Sequence, residues 1–217
     1  MAKTEAKSPR ERYRVQVRAE IKERAWEQIA TAGASALSLN AIAKQMGMSG
    51  PALYRYFASR DELITELIRE AYQSLAGTFR TAVATGADLA GLAHALRGWA
   101  VENPQRYLLI YGTPVPGYHA PEDITGISSE IMTALLDACT ALAPTGSAAP
   151  FSAHLDDHRD WADGHPAPPS ALHRALAFWT RLHGVLSLEL AGHFTNMGFD
   201  PALLFAAELD DLLTHRA

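Results

Sequence analysis

From residue 10 to residue 112 the apolar side chains recur every three or four positions, glycine and proline are sparse, and runs of β-branched residues are almost absent. A helix turns once per 3.6 residues, so this spacing gathers the apolar residues on one face of a helix. A strand needs alternation at every second residue, which this chain does not offer. The pattern predicts an all-α protein.

Tyr13, Val17, Ile21, Ala25 and Ile29 form the stripe of a first helix over residues 10–32, with Arg14, Arg18 and Lys22 on its other faces and Gly33 at its end. Ser38 is placed to cap a second helix carrying Leu39, Ile42, Ala43 and Met46, which stops at Gly47. Ser49 is placed to cap a third, with Pro51 in its first turn and its end near Phe57. A long fourth helix starts at about residue 60 and runs to about 83 along Leu63, Leu67, Ala71, Leu75 and Phe79, with Asp61 and Glu62 favourably placed at its start. Further helices are expected over 88–102, from Pro104 to Tyr111, over 125–142, from Ala171 to Phe194, and from Asp200 onward. Residues 143–170 hold five of the twelve prolines and read as a flexible excursion with a short helical turn around Phe151–Trp161.

Charge divides the chain more sharply than its net value of −5 shows. Residues 1–60 hold eleven Lys/Arg against five Asp/Glu, and residues 61–217 hold eight against nineteen. A basic segment joined to an acidic one points to a part that meets an anion, most often nucleic acid, and a part that does not. The single cysteine, Cys139, excludes an internal disulfide and suits a reducing, cytoplasmic setting. The charged N-terminus is no signal peptide, no apolar run approaches the roughly 20 residues of a membrane span, and residues 1–9 read as a disordered basic tail.

Helix, short turn and helix over residues 38–57 fit a helix-turn-helix, whose second helix enters the major groove of DNA. At about 100° per residue, Leu53 and Phe57 face inward and Arg55 lies nearly opposite, flanked by Pro51, Ala52 and Tyr54. Arg55 can then offer paired donors to a guanine edge, while the hydroxyls of Tyr54 and Tyr56 and the charge of Arg60 reach phosphates. The stretch "LSLNAIAKQMGMSGPALYRYFASRDELITELI" resembles the DNA-binding module of TetR-type bacterial transcriptional regulators. The likeness spans about residues 12–75. It implies that Pro51, Ala52 and Arg55 face bases and that Tyr54, Tyr56 and Arg60 hold phosphates. Ser38, Asn40, Ser49 and Gly50 complete the expected DNA-binding set, with Asn40 standing where an arginine sometimes reads a base and Tyr56 where histidine is often found.

The C-terminal segments "FWTRLHGVLSLEL" and "NPQRYLLIYG" resemble a subgroup of these regulators with a so-called WHG-type domain. That implies a helical ligand-binding and dimerisation domain over 84–217, following a DNA-binding domain over 10–60 and a linking helix over 60–83. Trp99, Tyr107, Tyr111, Trp179 and His183 are candidates for an effector pocket, although aromatic residues at helical spacing are more often plain core. The segment from Ala171 to Phe194 is apolar on most faces, so it is buried on more than one side. Either the monomer core or a dimer interface satisfies that, and the interface is the sharper reading, with Leu172, Phe178, Val185, Leu188, Phe205, Leu209 and Leu212 in it. His154 and His158 stand four apart, but two ligands in a proline-rich loop make no metal site. No phosphate loop, nucleophile elbow or Cys/His catalytic pair is present, so neither a cofactor nor an enzyme is expected.

The resulting expectation is a homodimeric regulator, usually a repressor in this family, released from a pseudo-palindromic operator by a small molecule, with the fourth helix as the lever. The alternative is a helix-turn-helix module that binds DNA without sequence preference, or binds protein, and has no effector.

Overall fold

The computed structural model describes residues 8–112, 115, 117–118, 121–142 and 150–214, and no strand occurs among them. Two compact units are present. The first comprises the described residues up to Ile68 and those between 113 and 120, and the second comprises residues 69–112 and those from 121 onward. The division falls inside the linking helix, between Ile68 and Arg69.

In the first unit, α1 (Pro9–Ala32) starts one residue earlier than its stripe indicates. Ser8 and Glu11 form a reciprocal capping box, and Pro9 needs no N–H partner in the first turn. Val17, Ile21, Ala25 and Ile29 are buried, but Tyr13 is 64% exposed, so the stripe begins one turn later than expected. Residues 1–7 of the expected tail lie outside the described residues. A 3-10 turn (Ala34–Ala36) leads to α2 (Leu39–Gln45), where the Ser38 hydroxyl accepts the Ala41 N–H at 3.3 Å. Gly47 at φ 65° ends α2, with Gly47 N–H bonded to Lys44 O and Met48 N–H to Ala43 O. That pair of bonds is a Schellman closure, which needs the left-handed residue glycine supplies.

α3 is shorter than expected, spanning Gly50–Leu53, with Tyr54, Arg55 and Tyr56 on a tight turn behind it. Ser49 makes no side-chain cap, and its carbonyl alone receives the Ala52 and Leu53 N–H groups. Leu53 and Phe57 are completely buried, as the spacing predicts. α4 (Arg60–Ala84) opens with Ser59 Oγ accepting the Glu62 N–H, while the Glu62 carboxylate accepts the Ala58 N–H at 2.6 Å.

The second unit holds the rest of α4 with α5 (Leu89–Glu102), α6 (Pro104–Tyr111), α7 (Glu122–Ala141), α8 (Pro150–Asp157), a 3-10 turn (Asp160–Ala162), α9 (Pro169–Leu190) and α10 (Pro201–Thr214). α9 stops before Phe194 because Gly192, at φ 79°, makes a second Schellman closure with His193 N–H on Leu188 O. Its apolar faces meet α5, α7, α8 and α10 in one core. Leu172, Phe178, Val185, Phe205, Leu209 and Leu212, expected at a dimer interface, are all buried within that core. Leu188 alone of the set is on the surface, 44% exposed. All-round apolarity fixed the burial of α9 but not which chain covers it.

Residues 150–168 are likewise not a loose excursion, and residues 143–149 of that stretch lie outside the described residues. Leu155, Ala162 and Ala167 enter the core, and the Arg159 guanidinium donates to the carbonyls of His165 and Ala167 at 2.7 and 2.9 Å.

Leu53 and Phe57 are the two buried side chains that seat α3 and its turn. Phe57→Ala should lower stability by about 3–5 kcal/mol through the cavity it leaves, measured by urea unfolding of the full chain.

Candidate nucleic-acid interface and a buried aromatic cluster

The outer face of the α2–α3 pair is built on a clamp that the sequence pattern did not single out. Arg18 of α1 donates through Nη1 to the Tyr56 carbonyl, and its guanidinium lies 4.0 Å from the centre of the Phe57 ring. Glu62 and Glu66 stand 3.8 Å from its nitrogens. Arg14, Arg18 and Lys22 share a four-residue spacing, so nothing in the sequence marks Arg18 as the one that turns inward.

On this base, Asn40, Ser49, Pro51, Tyr54 and Arg55 are exposed, and Ser38, Gly50, Ala52 and Tyr56 are half-buried. Arg55 has no carboxylate or carbonyl partner among the described residues, so its five N–H donors face outward. The Asn40 Oδ1 lies 3.6 Å from the place a Cβ on Gly50 would occupy, which brings the starts of α2 and α3 together.

Arg60 departs from expectation. Its Nε donates to Leu37 O at 3.1 Å, and its Nη2 to Ala34 O at 3.0 Å and Ser35 O at 3.2 Å. The Ala34 carbonyl also accepts the Leu37 N–H at 3.3 Å, so the guanidinium adds a second donor there and supplies one to Ser35 and Leu37. The side chain expected on a phosphate therefore ties α4 to the turn before α2. Arg60→Ala should cost about 1–3 kcal/mol of stability, read by thermal or urea unfolding, because it removes three charge-assisted bonds and leaves the part-buried Leu37 carbonyl without its donor.

In the second unit, the rings of Tyr107, Tyr111, Trp179 and His183 come together, and Tyr72 of α4 joins them. The Tyr111 ring lies 4.4 Å from His183, 5.2 Å from Tyr107, 5.5 Å from Trp179 and 6.1 Å from Tyr72, centre to centre. Trp179 lies 4.2 Å from His183. The Tyr107 hydroxyl sits 2.9 Å from His183 Nδ1, 3.2 Å from the His183 carbonyl and 3.1 Å from Ser187 Oγ. Tyr111 Oη and His183 Nε2 are buried without a hydrogen-bond partner among the described residues. Trp99 is buried too, but its indole N–H donates to Ser74 Oγ at 3.0 Å, and it makes none of these ring contacts. Beside the cluster's Ser187, Glu189 on α9 pairs at two points with Arg97 of α5, Nη2 to Oε1 at 2.9 Å. A separate groove of about 530 Å³ lies between α4 and α7, floored by Ala76, Phe79 and Ile131 with Arg80 and Glu130 at its rim.

Burial sets the protonation of the cluster. It lowers the His183 pKa to about 4 and pushes the Tyr107 phenol up to about 12. Tyr111 is raised further, by burial first and then by Tyr72 and Tyr107. A histidine whose folded pKa lies below its unfolded value of 6.5 binds fewer protons folded than unfolded between those values. Its contribution to stability is therefore present above about pH 6.5 and is lost as pH falls toward 4. The loss should be on the order of 3 kcal/mol, and His183→Gln should remove it from the pH dependence of urea unfolding.

No group of three or more metal-ligating side chains is assembled among the described residues, and no described helix is long and apolar enough to cross a membrane. A two-unit helical chain with a helix-turn-helix that presents an exposed arginine has the build of a DNA-binding transcriptional regulator. Residues 21–67 match the profile of the bacterial regulatory proteins of the tetR family, and residues 89–212 match the tetracyclin repressor-like C-terminal domain. The HTH-type transcriptional regulator Rv1816 of Mycobacterium tuberculosis is 38% identical over 211 residues, covering 90% of each chain. The crystal structure of a protein described as regulatory protein SCO4313 superposes with a TM-score of 0.88 at 73% identity, covering 96% of this chain and 100% of that one. PfmR of Thermus thermophilus, a TetR-family regulator, shares the fold with a TM-score of 0.58 at 17% identity over 89% of this chain and 96% of its own. The chain belongs to the TetR family of transcriptional regulators.

Proposed function

We propose that this regulator is a homodimeric repressor that leaves a pseudo-palindromic operator when a small molecule enters its C-terminal unit. The observation that supports the DNA half most directly is Arg55, exposed and unpaired on a turn seated by Leu53, Phe57 and Arg18. Such an arginine matches a guanine edge with two parallel N–H donors, and Tyr54 and Tyr56 flank it with hydroxyls suited to phosphate oxygens. Asn40, Ser49, Pro51 and Ala52 shape the face around them. Two copies would enter successive major grooves about one helical turn apart, or a multiple of it.

For dimerisation, the outer sides of α9 and α10 take the place of the buried residues. Leu188 on α9 and Leu203 and Leu213 on α10 are exposed, as are Met197 and Phe199 between the helices. A monomer seldom leaves so many large apolar side chains in one short stretch uncovered. For the effector, the cluster of Tyr72, Tyr107, Tyr111, Trp179 and His183 is favoured over the α4–α7 groove, because among the described residues it holds the buried side-chain polar atoms without partners. An effector that prefers one spacing of the two recognition surfaces shifts the dimer away from DNA by its difference in affinity for the two states. α4, continuous from one unit into the other, is the physical link.

Arg55→Ala should lose about 1–3 kcal/mol of discrimination at one base pair while retaining the salt-dependent, sequence-independent part of binding. Selection from random duplexes followed by competition with single-base variants measures this. Unchanged preference in the variant would remove Arg55 as the base reader, and equal affinity of the wild type for selected and random duplexes would sink the specific-regulator reading.

A further inference from the structure

The two unpaired atoms of the aromatic cluster narrow the chemistry of the ligand, an inference that rests on the cluster's reading as the effector site. Among the described residues, Tyr111 Oη and His183 Nε2 are the buried side-chain polar atoms without a partner, whereas two polar groups near them are paired. Tyr107 Oη bonds to His183 and Ser187, and Trp99 Nε1 bonds to Ser74. Whichever nitrogen of His183 carries the proton, Tyr107 satisfies Nδ1 and leaves Nε2 with one hydrogen-bonding function open. Tyr111 Oη, on a ring whose centre is 4.4 Å from that imidazole, can both donate and accept and does neither. A buried polar atom without a partner loses its hydration for no return, so a ligand group that pairs with it restores the full value of a bond.

We propose that the cluster binds a neutral hydroxyarene, whose hydroxyl pairs with Tyr111 Oη and His183 Nε2 and whose ring joins the edge-to-face set of Tyr72, Tyr111 and Trp179. A hydroxyl is the smallest group that donates to one atom and accepts from another, so it serves either tautomer of His183. Flat rings are favoured because Tyr111 already meets Tyr72 and Trp179 edge-on, at interplanar angles of 85° and 84°. A planar ligand extends such an arrangement, whereas an alkyl group gains area alone. Neutrality follows from the surroundings. Tyr72, Tyr107, Trp179 and Ser187 carry no charge, and burial keeps the imidazole itself uncharged at neutral pH. A carboxylate or an ammonium would lose its water there, and the Arg97 and Glu189 charges beside Ser187 are already paired with each other.

The test is calorimetric titration of the full chain with p-cresol, toluene, benzoate and benzyltrimethylammonium, alongside ¹⁵N spectra of the His183 ring. p-Cresol should bind about tenfold more tightly than toluene and shift the Nε2 resonance, and the charged probes should bind more weakly than p-cresol. In Tyr111→Phe, checked for an unchanged fold by circular dichroism, the p-cresol advantage should shrink to about threefold or less. Equal binding of toluene, tighter binding of either ion, no binding of any probe, or p-cresol binding that leaves Nε2 unshifted would each overturn the proposal. Affinity for a selected DNA duplex, followed in the same samples, separates the two readings. If p-cresol binds with these signatures and DNA affinity is unmoved, the ligand class stands and the effector role falls. If DNA is released only by probes that leave His183 untouched, regulation by a small molecule stands, and the cluster's effector role and this ligand class both fall.

Discussion

Four helical residues and a turn have no stability of their own, because helix nucleation fixes several residues for each hydrogen bond gained. α3 exists because Leu53 and Phe57 are buried beneath it and because Arg18 reaches from α1 to the carbonyl of Tyr56 while lying across the Phe57 ring. Burial of two such side chains contributes about 3–6 kcal/mol at most, enough to hold one turn but not to orient it. The guanidinium supplies orientation, since its position is set by a carbonyl, a ring face and two carboxylates at once. Arg60 does the same on the other side of α2 through three carbonyls. Two arginines thus hold the platform, and a third, Arg55, is left with its donors facing outward.

The C-terminal unit follows the opposite logic. Its core is apolar and continuous, yet α6 and α9 bring two tyrosines, a tryptophan and a histidine into it, with more polar atoms than partners. Stability alone would favour leucine at such places. The unpaired atoms are a cost that the rest of the core carries, and they sit outside the residues that match the DNA-binding tetR profile.

Nine of the ten helices among the described residues were legible in the sequence, α8 being the exception, because they rest on local rules: apolar spacing, proline in first turns, glycine at helix ends. Ser38, Leu53, Phe57 and the outward Arg55 followed from the same rules. What was not legible depended on contacts distant along the chain. Arg18 and Arg60 look like solvated cations until Tyr56 and Leu37 are brought beside them. Leu172, Phe178 and Phe205 have the character of either core or interface, and only the packing of α9 on its neighbours chooses. Residues 150–168 look loose by composition, but Arg159 closes them through backbone carbonyls that no sequence pattern reveals. Tyr72 joined the cluster from α4 without any marker of its own.

One piece of connectivity bears on how such a protein can be divided. The chain leaves the DNA-binding unit within α4, returns to it after α6, and leaves it again before α7. During that return Val115 is buried, and the Tyr118 hydroxyl lies 3.0 Å from Thr65 Oγ1 on α4. The helix-turn-helix unit is therefore discontinuous in sequence, and a gene fragment ending at residue 68 would encode a platform missing a strip of its own surface. Exchange of DNA-binding heads between relatives would have to carry this short return segment with the head.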